Sequence, residues 1–156
     1  MAQLCHIAQA NIARMVAPID DPIMAGFVAQ LADMNALAER SSGFVWRLQT
    51  EDGDATAIRA FDDDRILFNM SVWETIDALF DYTYRSAHAG PLKDRKQWFA
   101  PLPGPSLVLW WVAAGTTPTV DDAKRRLEML DRNGPSADAF TFRERFEAPG
   151  DGELGM

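Results

Sequence analysis

Most of the side chains able to do chemistry lie in one stretch, Asn69-Met-Ser-Val-Trp-Glu-Thr-Ile-Asp-Ala-Leu-Phe-Asp-Tyr-Thr-Tyr-Arg-Ser-Ala-His88. It places one of only two histidines, His88, behind Arg85, Tyr84 and Tyr82 on one predicted helix. An imidazole titrates near neutrality and suits proton transfer. Arg85 and Tyr82 are three residues apart and share a helical face, where a guanidinium and a phenol can hold a carboxylate or stabilise an enolate. The candidate catalytic set is therefore His88, Arg85 and Tyr82. The plainer alternative for His88 is a histidine that caps terminal carbonyls, and for Arg85 a surface arginine.

Around them lie candidate ligand-binding groups. Trp46, Trp73, Trp98 and Trp110 are large flat side chains suited to an aromatic ligand, although most tryptophans serve a core. Tyr84 belongs to the same helix end. Arg47 and Asn69 stand on strand faces opposite apolar neighbours, so each points toward a barrel interior or toward solvent, and in an interior each needs a polar partner. His6 reads as a sheet histidine and Cys5 shows no nucleophile pattern. Two histidines and one cysteine make no zinc site, so no metal is expected. Glycine-rich phosphate loops and a nucleophile-elbow serine are both absent.

The elements that must position these residues follow from periodicity. Residues 3–12 read as a first strand. Asp20-Asp-Pro22 opens a helix with apolar positions 23, 24, 27, 31, 34 and 38, which stops at Arg40 and Gly43. Phe44 to Gln49 alternates, with Phe44, Trp46 and Leu48 on one face. Ala57 to Phe61 reads as a short extra strand, and Ile66 to Met70 as the next full one. Ser71-Val-Trp-Glu74 fits a capping box for a second helix that ends at Gly90-Pro91. Leu92 to Phe99 reads as a separate short helix. Ser106 to Ala114 is a strand apolar on both faces, Thr119-Val-Asp-Asp122 opens a third helix ending near Asn133-Gly134, and Phe140 to Phe146 is a last strand.

The order is β-α-β-β-α-β plus an α-β unit: an α+β, ferredoxin-like split βαβ layout over residues 1–149, with residues 150–156 as a flexible tail. Such a layout covers one sheet face with helices. The face bearing Trp110 or Trp111 needs another cover, supplied by a second copy of the chain or by the third helix folding back.

The pattern Asn-Met-Ser-Val-Trp-Glu, Tyr-Arg-Ser-Ala-His, Trp-Phe and Leu-Val-Leu-Trp-Trp-Val resembles an uncharacterised domain-of-unknown-function family of the dimeric α+β barrel superfamily. Antibiotic biosynthesis monooxygenases and haem-degrading monooxygenases belong to that superfamily. The resemblance implies a homodimer with an apolar pocket between sheet and helices, able to take a quinone-like polyketide, haem, or a small acid or aldehyde. Haem-degrading relatives use a first-strand asparagine, a helix tryptophan and a later histidine. This chain has Gln9 and Asn11, Tyr82 and His88 at the nearest positions.

A net charge of −8 with 47% hydrophobic residues fits a globular domain. It argues against nucleic acid and anionic membrane surfaces as partners. One cysteine, no apolar run of membrane length and no leader pattern make a cytoplasmic protein the expectation. The functional expectation is a small-molecule-binding protein, either a cofactor-independent monooxygenase-like or acid/base enzyme acting on an aromatic or polyketide-like substrate. Two alternatives remain: a haem-binding or haem-degrading protein, and a non-enzymatic carrier or structural dimer.

Overall fold

The computed structural model describes residues 4–49, 63, 65–85, 98–102 and 104–148. Strand β1 (Cys5–Met15) is the axis of an antiparallel sheet. It pairs with β3 (Ile66–Trp73) on one side, and β3 pairs in turn with β2 (Phe44–Arg47). On its other side β1 pairs with β5 (Leu107–Ala113) through its first half and with the two-residue β4 (Phe99–Ala100) at its end. The order β2-β3-β1-β5 with every neighbour antiparallel is the split βαβ arrangement the sequence predicts.

Helix α1 (Ala25–Glu39) follows a 3-10 turn at Pro22–Met24, which Asp21 caps through a bond from the Ile23 amide. Helix α2 (Ile76–Phe80) runs directly into a π-helical turn at Asp81–Arg85. These elements lie over the face of the sheet formed by Ile7, Trp73 and Leu109, where Ala38 of α1 and Leu79 of α2 join one core cluster. Gly43 makes the tight junction between α1 and β2. Its φ is +85°, and a Cβ there would stand 2.5 Å from the Ala78 Cβ, so only glycine lets this turn pack against α2. Its carbonyl accepts the Glu74 amide at 2.7 Å, which pins the start of α2 to the end of α1.

The opposite face is covered by the chain itself. Helix α3 (Val120–Asn133) starts in a capping box between Thr119 and Asp122. It buries Ala123, Leu127 and Leu130 against Ala8, Ala10, Phe68, Met70, Val72, Val108 and Trp110. Trp110 is 1% exposed. The need for a second copy, argued from the two-sided apolar strand, is met by α3, so this face gives no ground for a homodimer.

Several local expectations are corrected. Ser71, Val72 and Trp73 continue β3 rather than capping α2; the cap is Thr75, whose hydroxyl accepts the Ala78 amide at 3.0 Å. A strand that alternates Asn69, Ser71, Trp73 on one face and Met70, Val72 on the other has more to bury as strand than as turn. A β-bulge between Phe44 and Trp46 puts these two on opposite faces, Phe44 beneath the helices and Trp46 beneath α3. Phe99 is in a strand, and Ile23 is 58% exposed, outside the buried stripe of α1. Phe140 to Phe146 makes no regular strand. Phe140 exchanges two backbone bonds with Leu109, and turns bridged at Ser136–Ala139 and Thr141–Glu144 flank it. The predicted strand at Ala57 to Phe61 and the Gly-Pro end of the second helix lie outside the described residues.

Candidate functional site

On the sheet face beneath α1 and α2, three layers succeed each other along the strands. At one end, Ile7, Phe44, Trp73, Leu79, Tyr82 and Leu109 form an apolar cluster. At the other, Met15, Ala17, Met24 and Trp98 form a second, with Phe27, Leu67 and Phe99 against it. Between them crosses a belt of polar side chains, Gln9 and Asn11 on β1 opposite Ser71 and Asn69 on β3. Residues i and i+2 of a strand share a face, so the register alone puts all four together.

Gln9 is the centre of the belt at 4% exposure. Its Nε2 donates to the Ser71 hydroxyl at 2.8 Å and to Asn69 Oδ1 at 3.0 Å, while its Oε1 accepts Asn11 Nδ2 at 2.8 Å. Trp73 Nε1 donates to the same Ser71 oxygen at 2.9 Å. Exposure rises along the belt from Ser71, at 7%, to Asn69, which reaches solvent. The belt is therefore anchored at its inner end and open at its outer one. Asn69 Nδ2 and Asn11 Oδ1 make no hydrogen bond among the described residues, leaving one donor group and one acceptor for a guest.

Tyr82 stacks on Trp73 with centroids 5.0 Å apart and 28° between planes. Its hydroxyl donates to the Met34 carbonyl at 3.0 Å, tying the π-helical turn to α1. Burial pushes the phenol up to about 12, against the opposing pull of the Arg47 charge. Tyr82 is thus a neutral, positioned ring near neutral pH. Its hydroxyl, expected to serve an oxyanion, is engaged with backbone. At the far end, Trp98 lies tightly under α1: a Cβ at Gly26 would meet its Cζ2 at 3.1 Å.

Arg47 pairs across the sheet with Ser71 and reaches under α1, its side chain 11% exposed. Its Nε stands 3.5 Å from Glu39 Oε2, outside hydrogen-bond geometry. Of the ten expected site residues, the structure brings Arg47, Asn69, Trp73 and Tyr82 to the belt and the cluster at its inner end, with Trp98 in the cluster at the other end. Trp46 and Trp110 are packed on the opposite face under α3. Tyr84 is 47% exposed and packs on Phe80 and Phe142. Arg85 ends the π-helical turn, and His88 lies outside the described residues. Gln9 and Asn11, named only for their place near the first-strand asparagine of haem-degrading relatives, and Ser71, read as a helix cap, were not among the expected site residues, although polar residues at positions 9, 11, 69 and 71 were the available signal.

Away from the belt, an open groove of about 510 Å³ is lined by Thr75, Ile76, Asp77, Trp111, Arg145 and Phe146 among others. Arg145 Nη1 donates to Asp77 at 3.0 Å, and the guanidinium lies over the Phe80 and Phe142 rings. Among the described residues no three His, Cys, Asp or Glu side chains gather as a metal site. No helix there is long and apolar enough to cross a membrane.

An antiparallel sheet with a polar belt beneath two helices defines an α+β domain of ferredoxin-like topology. Residues 6–154 match the family described as Domain of unknown function (DUF3291), and the chain belongs to that family. No curated protein matches the sequence. Among solved structures, it is similar to SnoaB, a cofactor-independent oxygenase from Streptomyces nogalater, and to a point mutant of that protein. The likeness to the mutant has a TM-score of 0.47 at 16% identity, and that to the unmutated protein 0.44 at 17%; each covers 72% of this chain and 95% of the other. Likeness at this level carries no weight for function.

Proposed function

We propose that the belt and the clusters flanking it line a trough that binds a planar aromatic or polyketide-like small molecule, with chemistry of the cofactor-independent monooxygenase type. The observation that carries this reading is the amide belt. Four polar side chains cross the middle of an apolar face, between aromatic rings at either end, with their unspent groups at the open end. A core built only for stability gains little from such a belt, because a buried polar network needs every member satisfied. A flat ligand with a ring carbonyl or hydroxyl satisfies it when its oxygen meets Asn69 and Asn11 at the open end.

A monooxygenation without cofactor needs a substrate that itself supplies electrons to O2. An activated ring methylene loses a proton to give an enolate, and O2 adds at that carbon. One oxygen atom stays as a carbonyl and the other leaves as water. In this reading Asn69 and Asn11 orient the oxygen, Tyr82 packs against the ring and His88 accepts the proton.

The test is oxygen uptake with an anthrone under metal-free conditions, alongside quenching of tryptophan fluorescence. Uptake of one O2 per quinone formed, lost in Asn69→Ala and His88→Ala, supports the reading. Quenching without uptake leaves a ligand carrier. A protein that binds none of a panel of anthrones, quinones and naphthols rejects it.

A further inference from the structure

The belt leaves one donor and one acceptor side by side at its open end. Its three amides close a ring. Gln9 Nε2 donates to Asn69 Oδ1 at 3.0 Å, Asn11 Nδ2 donates to Gln9 Oε1 at 2.8 Å, and Asn11 Nδ2 meets Asn69 Oδ1 at 3.4 Å. The other Gln9 Nε2 hydrogen goes to Ser71 Oγ at 2.8 Å, where the donor-only indole of Trp73 also ends. Both amide hydrogens of Gln9 and both of Asn11 are thereby spent. What remains among the described residues is the Asn69 Nδ2 group as donor and Asn11 Oδ1 as acceptor.

Asn11 and Asn69 are direct partners across the β1–β3 ladder, where side chains on one face are roughly 5 Å apart at Cβ. Asn69 is exposed and Asn11 half-buried, so the pair is reached from solvent. Its character does not depend on which way the amides are turned. Turning all three over lets Ser71 donate to Gln9 and exchanges the roles of Asn11 and Asn69, but one donor still stands beside one acceptor.

We infer that the ligand held at this end is a planar lactam, a ring N–H beside a ring carbonyl, with its N–H on Asn11 Oδ1 and its carbonyl on Asn69 Nδ2. This rests on the reading of the belt and its flanking clusters as a ligand site and adds the substrate class. A ketone, quinone, ether or carboxylate brings only acceptors. It leaves the Asn11 carbonyl facing it unpaired, which costs affinity once water is excluded. A ring hydroxyl next to a carbonyl spends its hydrogen on that carbonyl. A ring amide holds donor and acceptor side by side and cannot join them to each other, so both reach the protein. A benzo-fused lactam with a methylene next to its carbonyl also supplies the activated C–H of the proposed oxygenation.

The probes are 2-quinolone, which carries the lactam edge, and coumarin, the same ring frame with an oxygen in place of the N–H. The affinity of each for the full-length protein is read by equilibrium dialysis. 2-Quinolone should bind at least about tenfold more tightly than coumarin. Asn11→Ala should bring 2-quinolone down to the coumarin level and leave coumarin unchanged. Asn69→Ala should weaken both alike, since both carry the carbonyl. The same two outcomes with the variants exchanged mean that the amides are turned over, and support the inference equally. Equal binding of the two probes by the wild type, or binding of neither beside an anthrone, quinone or naphthol that does bind, overturns the inference and leaves the trough a ligand site. A preference that survives in both variants overturns it too. Binding of none of these compounds overturns the ligand site and the inference together. Should a variant fail to fold, the wild-type comparison and the other variant decide.

Discussion

Replacing Gln9 by Leu separates a belt kept for ligand binding from one kept for stability. The substitution removes three side-chain hydrogen bonds, those to Ser71, Asn69 and Asn11. At roughly 1 kcal/mol net each, the nominal loss is about 3 kcal/mol. Asn69 and Asn11 reach solvent and recover water partners, and Ser71 keeps its bond from Trp73, which brings the loss to about 2 kcal/mol. Leucine is close in volume and returns about 1–2 kcal/mol by burying apolar surface between the two core clusters. The net change should lie within about 1 kcal/mol, a shift of roughly 2–4 °C in Tm for a domain of this size. The same variant deprives Asn69 and Asn11 of the group that orients them, so affinity for a naphthoquinone probe should fall at least about tenfold. Urea midpoints at constant m value and tryptophan quenching on the same samples read both quantities. A loss above about 3 kcal/mol, together with unchanged affinity of the folded protein, would mean the belt is structural and would refute the site.

Three further outcomes follow from the packing. Trp110→Ala should cost about 3–5 kcal/mol and Leu127→Ala about 2–4 kcal/mol, and because both lie in the α3-face cluster their effects should be non-additive in a double-mutant cycle; strict additivity would detach α3 from the sheet. Tyr82 carries a phenol raised by burial to about 12 against 10.0 for the free group. The folded state therefore binds its proton more tightly than the unfolded state, and the associated stability is complete below pH 10. It should be lost as pH rises from 10 toward 12, on the order of 2–3 kcal/mol; Tyr82→Phe should remove that slope in alkaline denaturation curves, and an unchanged slope would place the effect elsewhere. Gly43→Ala should destabilise by at least about 1–3 kcal/mol, since it combines positive φ with a steric clash on Ala78, and wild-type melting of this variant would contradict the described turn.

Sequence alone dictated the split βαβ order, the presence of β1, β3, β5 and α1, and the span of α3. These depend on local alternation, on Asp21-Pro22, and on the Thr119–Asp122 capping box, all within a few residues along the chain. It also singled out Arg47 and Asn69 by their parity on strands, Tyr82 by its helical spacing from Arg85, and Trp73 by residue type alone. What sequence could not decide was which side of the sheet each face meets. The bulge at Val45 sends Trp46 away from Phe44, and a one-residue slip in a period-two element inverts everything beyond it. Ser71 offered a capping box in the linear text, but pairing with Gln9 held it in the strand, because a cross-strand bond between positions 62 residues apart has no local signature. The cover over Trp110 was likewise a choice between a second chain and α3, two solutions that bury the same apolar surface. Only the path of residues 114–119 and the burial of Leu127 and Leu130 settle it in favour of α3.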